Sequence, residues 1–205
     1  MTAVIDRPMS VWQDKVRTIV REAGEGPPLV FLHGASGLMW DPLVEALTTT
    51  HHVYAPMHPG TDGEHHDDVR QLSDVWDLVV YYAELFDALG LDRFTLVGHS
   101  FGGMVAAEIA ATYPQLVEKL VLVSPLGLWR DDAPVGNPMM LDPMQLVQAT
   151  FADATSPRSS RPRTTGVPAS CSPGRCSAQP PQTRPAFWFR PTARGWPWRS
   201  ARCRS

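Results

Sequence analysis

The residues best suited to chemistry lie in Gly98-His99-Ser100-Phe101-Gly102-Gly103, where a serine stands between two glycines. An apolar, β-type run over residues 94–97 precedes it, and a helix-type run over 104–111 follows. This order predicts a strand, a tight turn and a helix with Ser100 at the apex. Such a turn holds the serine in a strained backbone state and projects its hydroxyl clear of the sheet. Gly98 and Gly102 carry no Cβ to collide as strand and helix close on each other. The backbone N–H of Phe101, at the helix N-terminus, faces the place where an oxyanion would form. The bland alternative is an ordinary turn serine, and the strand–helix context weighs against it.

The flanking sequence supplies elements able to position this turn. Residues 16–20 read as an early strand, and Gly24-Glu25-Gly26-Pro27-Pro28 as a turn. Residues 29–32 form a continuous apolar run, expected of a strand buried on both faces. That run leads into His33-Gly34-Ala35-Ser36-Gly37. Trp40-Asp41-Pro42 then opens a helix, with Asp41 at the N-cap and Pro42 in the first turn. Residues 53–56 read as a short strand and 57–71 as a polar loop. Residues 72–89 read as a long helix whose stripe Leu72, Val75, Trp76, Val79, Val80, Ala83, Phe86 and Leu89 packs the core, with Gly90 as its stop. Tyr113-Pro114 ends the helix after Ser100, and residues 120–123 read as one more buried strand. Strands alternating with helices, without tight hairpins, predict an α/β fold with a mostly parallel sheet and flanking helices. Ligands in such sheets bind at the carboxyl ends of the strands. His33-Gly34-Ala35 and Ser100 both sit there and are expected to converge.

Composition divides the chain. Residues 1–154 hold all 21 acidic residues and 8 of the 18 basic ones, whereas 155–205 hold 10 arginines and no acid. All three cysteines, Cys171, Cys176 and Cys203, lie in the second part. The first part therefore reads as an acidic, cysteine-free cytoplasmic domain. No apolar run reaches 18 residues, so no membrane span is expected, and the N-terminus lacks the basic-then-apolar order of a signal peptide. The cluster His65-His66-Asp67-Asp68 matches no compact ligand spacing and reads as a solvated loop rather than a metal site. Cys171 and Cys176 lack partner ligands. The arginines interleaved with Trp188, Trp196 and Trp198 raise nucleic-acid or anionic-membrane binding, but no folded platform stands behind them and no nucleic-acid partner is expected. Oligomeric state is not legible.

The motifs His33-Gly34-Ala35-Ser36-Gly37 and Gly98-His99-Ser100-Phe101-Gly102-Gly103, with the strand over 120–123, make residues 16–154 resemble the N-terminal part of an α/β-hydrolase-fold enzyme. The resemblance implies that Ser100 is the nucleophile and that the oxyanion hole is formed by the N–H groups of Phe101 and Ala35. It implies acyl transfer to Ser100 followed by hydrolysis, small esters or related carbonyl compounds as substrates, and no cofactor. The serine argues against relatives with an aspartate nucleophile. His33 is expected to brace the oxyanion loop rather than act as base, and His99 to point towards the packed side of the turn.

The sequence departs from that family where the chain order Ser, then Asp or Glu, then His is required. The seven histidines are His33, His51, His52, His58, His65, His66 and His99, and none follows Ser100. The triad acid is also unplaced: Asp131, Asp132, Asp142 and Asp153 fall where the family inserts a lid, which begins near Gly127. Residues 155–205 contain 9 prolines and 8 serines but no Leu, Ile, Met, Asp or Glu. Such a segment buries too little to offset the entropy of ordering it. The expected division is therefore an extension over 1–15, a C-terminally incomplete hydrolase domain with the start of a lid over 16–154, and a disordered tail over 155–205. Two origins for that tail compete: a genuine basic extension, or a frameshift near residues 150–160, because Arg, Pro, Ala, Ser, Trp and Cys are what off-frame reading of a GC-rich gene tends to give. The corresponding functions are a serine hydrolase impaired by its missing base, or a non-catalytic fragment binding an acidic partner. Lacking its later strands, the sheet is expected to expose an edge and an apolar face and to aggregate.

Overall fold

A computed structural model describes residues 3–127, 131–132 and 140–150. The elements run β1 (Ile5–Val11), β2 (Val16–Ala23), β3 (Pro28–Leu32), α1 (Pro42–Leu47), β4 (His52–Pro56), a 3-10 helix (His66–Gln71), α2 (Val75–Ala88), β5 (Phe94–His99), α3 (Phe101–Thr112), β6 (Val117–Val123) and α4 (Pro143–Thr150). One six-stranded sheet has the order β1-β2-β4-β3-β5-β6. β4, β3, β5 and β6 pair in parallel, and β1 and β2 join antiparallel at one edge. The α/β class and mostly parallel sheet expected from the sequence are thus present.

Both faces of the sheet are covered at its centre. β3 sends Val30 and Leu32 to one core, with Leu96 of β5 and the buried residues of α2 and α3. It sends Leu29 and Phe31 to the other, with Val97 of β5 and Val44 of α1. This double burial is why residues 29–32 read as unbroken apolar sequence. The local signals for the helices also operate. Asp41 accepts from the N–H groups of Leu43 and Val44 to cap α1, and Asp74 accepts from Trp76 and Asp77 to cap α2. At the other end of α2, Gly90 takes φ +72°, Gly90 N donates to Asp87 O, and Leu91 N donates to Phe86 O. That pair of bonds satisfies two terminal carbonyls and requires the left-handed glycine.

Four expectations are corrected. Residues 5–11 of the expected N-terminal extension form an edge strand, joined to β2 by a tight hairpin through residues 12–15. Its sequence shows no apolar alternation because the strand is largely exposed. In α2 the buried face is Leu78, Val79, Tyr81, Tyr82, Leu85 and Phe86, while Trp76 is 58% exposed and Val80 44%. The inferred stripe included both exposed residues and omitted the tyrosines, whose apolar rings outweigh their hydroxyls. Leu72 is buried but precedes the helix, following the 3-10 turn. Finally, β6 is mostly exposed, with Leu120 at 39% and Val121 at 46%, because among the described residues it pairs with β5 alone. The expected tail over 155–205, its cysteines and tryptophans, and most of the lid region lie outside the described residues.

Candidate active site

Ser100 stands between β5 and α3 with φ 55° and ψ −115°, a left-handed conformation that a side chain disfavours. Four bonds hold it there. Ser100 N donates to Val123 O at 3.0 Å, and Ser100 O accepts from Gly103 N at 3.0 Å, Met104 N at 3.2 Å and Leu126 N at 3.0 Å. The glycines permit the approach. A Cβ on Gly98 would lie 2.5 Å from Gly102 O and 2.7 Å from Ala106 Cβ; one on Gly102 would lie 2.2 Å from Leu32 O and 2.5 Å from His33 O. Gly102 N donates to His33 O at 3.1 Å, stitching the start of α3 to the loop after β3.

That loop reaches Ser100. A Cβ on Gly34 would lie 3.4 Å from Ser100 Cβ, so His33-Gly34-Ala35 and Ser100 are brought together as expected from their places at parallel strand ends. Phe101 is the first residue of α3, directly after Ser100. Ala35 is exposed in the turn after Gly34. The candidate acids Asp131 and Asp132 are described, with partners of their own, as is Asp142, whose carboxylate accepts from Met144 N and Gln145 N. Asp153 lies outside the described residues.

His33 is buried, at 2% exposure. Its Nε2 accepts the His58 backbone N–H at 2.9 Å, so its proton sits on Nδ1 and is donated to Gly34 O at 2.6 Å. Burial holds its pKa down to about 4, with the Gly34 bond opposing and His99 adding to the effect. A neutral ring with both nitrogens engaged braces the loop, as expected. His58 was missed. It is buried, its Nε2–H donates to His33 O at 2.7 Å, and its Nδ1 accepts the Tyr82 hydroxyl. Burial pushes His58 well below the ordinary imidazole range and pushes Tyr82 up. No sequence signal marked the pair, because His58 sits in a polar loop and Tyr82 looks like a flanking polar residue of α2.

His99 corrects a further expectation. It is exposed, and a Cβ on Gly34 would lie 3.2 Å from its Nδ1. The bare Gly34 leaves room for the ring. The His65 cluster is also not simply solvated. Asp68 is buried and takes a bidentate bond from Arg17, which holds its carboxyl down to about 2. His65 Nδ1 instead faces Asp62 Oδ2 at 2.6 Å.

A family model described as the alpha/beta hydrolase fold matches residues 27–167. The chain is similar to 2-hydroxymuconate semialdehyde hydrolase from Pseudomonas sp. (strain CF600), 32% identical over 119 residues that make up 55% of this chain and 41% of that protein. It is similar to pyrrolizixenacetamide deacetylase from Xenorhabdus hominickii, 36% identical over 111 residues, 53% of this chain and 41% of the relative. In fold it resembles the crystal structure of naproxen esterase from Bacillus subtilis, with TM-score 0.54 at 23% identity over 62% of this chain and 45% of that one. The chain thus spans less than half the length of the curated relatives it matches.

Proposed function

This chain belongs to the α/β-hydrolase fold family, and from that premise we propose that it carries the nucleophile half of a serine hydrolase of small esters or related carbonyl compounds. Ser100 is the nucleophile, and the N–H groups of Phe101 and Ala35 form the oxyanion hole. The observation that supports this most is the left-handed backbone of Ser100 at a strand–helix junction so tight that Gly98 and Gly102 admit no Cβ. Strain of this kind persists only where the surroundings enforce it, and it concentrates at functional sites. In the reaction, Ser100 Oγ bonds to the carbonyl carbon as its proton passes to a general base. The base returns the proton to the leaving alkoxide as the C–O bond breaks, and water then displaces the acyl group from Ser100.

The general base has no histidine among residues 101–205. His33 and His58 have both ring nitrogens committed to other partners. We read residues 155–205 as a frameshift product that displaced the acid and the histidine. Translating all frames across codons 140–205 of the resequenced gene tests this: another frame should restore strands, a Gly-x-x-Asp turn and a late histidine. A confirmed frame with no continuation of the fold would favour the second reading, a non-catalytic fragment whose arginines bind an acidic partner through steeply salt-dependent contacts.

The nucleophile itself is tested by a fluorophosphonate probe. The full chain should label slowly at Ser100 and Ser100→Ala should not label, while ester turnover stays several powers of ten below that of a complete triad. Equal labelling of the two proteins, or none of the full chain, overturns the assignment.

A further inference from the structure

We infer that His58 and Tyr82 are positioning residues for the oxyanion loop, fixing the peptide that presents the Ala35 N–H to Ser100. The inference rests on the serine-hydrolase reading for its functional meaning, and on hydrogen-bond geometry for its structure. The Ala35 N–H belongs to the Gly34–Ala35 peptide, so its direction is set by whatever holds Gly34 O. That oxygen accepts from His33 Nδ1 at 2.6 Å and from Gly37 N at 3.3 Å. The His33 ring is oriented in turn by the His58 backbone N–H on its Nε2. The preceding peptide is fixed as well, because His33 O accepts from both His58 Nε2 and Gly102 N. One oxygen thus joins three segments: the loop after β3, the loop after β4 and the first turn of α3.

Tyr82 sets the direction of this chain of bonds. Its hydroxyl donates to His58 Nδ1, which leaves the His58 proton on Nε2, the atom that faces His33 O. The wrong tautomer would place two lone pairs against each other in a buried site, at a cost comparable to a lost hydrogen bond. The His58 ring also packs edge-on against Phe101, with centroids 5.1 Å apart and planes at 80°. His58 therefore touches both residues assigned to the oxyanion hole, either directly or through His33. Here each ring nitrogen of two histidines points along one path from α2 to Ala35.

The experiment compares the full chain with Tyr82→Phe, which keeps the ring and removes the hydroxyl. Amide hydrogen exchange should accelerate at least ten-fold over residues 33–37 and change less than two-fold over 104–112. Phosphonylation of Ser100 should slow about ten-fold. Unchanged exchange over 33–37, or faster exchange there with an unchanged labelling rate, overturns the inference. If the full chain does not label, the nucleophile reading fails and exchange alone decides the positioning role. If Tyr82→Phe loosens the whole molecule, nitrogen NMR of the unmodified chain decides it: His33 should be the neutral Nδ1–H tautomer and His58 the neutral Nε2–H tautomer at pH 7. The reverse assignment for either overturns it.

Discussion

β3 and β6 flank β5 in the same parallel sense, yet they meet opposite fates. Four of the five residues of β3 are buried, whereas four of the seven in β6 are exposed. Leu120-Val121-Leu122-Val123 is as apolar as Leu29-Val30-Phe31-Leu32. What differs is the company: β3 has a strand on either side and helices over both faces, while β6 among the described residues has β5 alone as a strand neighbour. An apolar run therefore predicts a strand, but its burial depends on whether the neighbours exist.

The sharpest way to break the comparison is to make one small change of side-chain volume on each side. Gly102→Ala puts a Cβ 2.2 Å from Leu32 O, a backbone atom of β3 that cannot swing aside. The helix must retreat, which strains Ser100 and stretches the Gly102–His33 bond. The expected loss is about 3 kcal/mol or more, seen as a lowered denaturant midpoint or loss of soluble protein. A large-to-small change on β6, Val121→Ala, should cost less than about 1 kcal/mol because little area is removed from water there. Equal costs would mean that the two sides are equally packed.

Acid should also act on the β3 side first. His33 has a folded pKa of about 4 against 6.5 for a free imidazole, and burial lowers His58 in the same direction. Below 6.5 the unfolded chain binds protons that the folded chain excludes. Stability is therefore full above pH 6.5 and falls as pH drops towards 4, by about 3 kcal/mol from His33 alone. Asp6, Asp62 and Asp68 have lowered pKa values, so their contribution is lost only further down, below the ordinary carboxylate range. Glu108, raised by burial, works against the trend. Urea midpoints measured from pH 7.5 to 4.5 check this, and a flat profile over that window contradicts the neutral histidine pair.

What the sequence disclosed follows the same division. Position along the chain located the turn at Ser100, the cap Asp41 has local partners only, and double burial made β3 and β5 unmistakable. Contacts distant in sequence stayed hidden. His58 meets Tyr82 across 24 residues and His33 across 25, and nothing in a polar loop or an amphipathic helix announces such meetings. Arg17 with Asp68 is a third case, 51 residues apart. The edge strand β1 was illegible for another reason: a strand with an exposed surface needs no apolar pattern.

The smallest effect on folding, and the most informative for β6, comes from charging its open face. Leu120 and Val121 stand exposed on a strand whose outer edge no described strand covers. Unpaired N–H and C=O groups beside exposed aliphatic side chains form a template for another chain. The unmodified protein should therefore elute as large, polydisperse species in size-exclusion chromatography with light scattering. Val121→Lys should raise the monomer fraction several-fold while moving the denaturant midpoint by no more than about 0.5 kcal/mol, since a lysine at this half-open position keeps its ammonium in water. The same substitution at Val30, fully buried between β4 and β5, should abolish folding because the charge has no partner there. A monodisperse, cooperatively melting wild-type chain would show instead that β6 is already covered, and the contrast with β3 would then reduce to the two faces of an ordinary closed sheet.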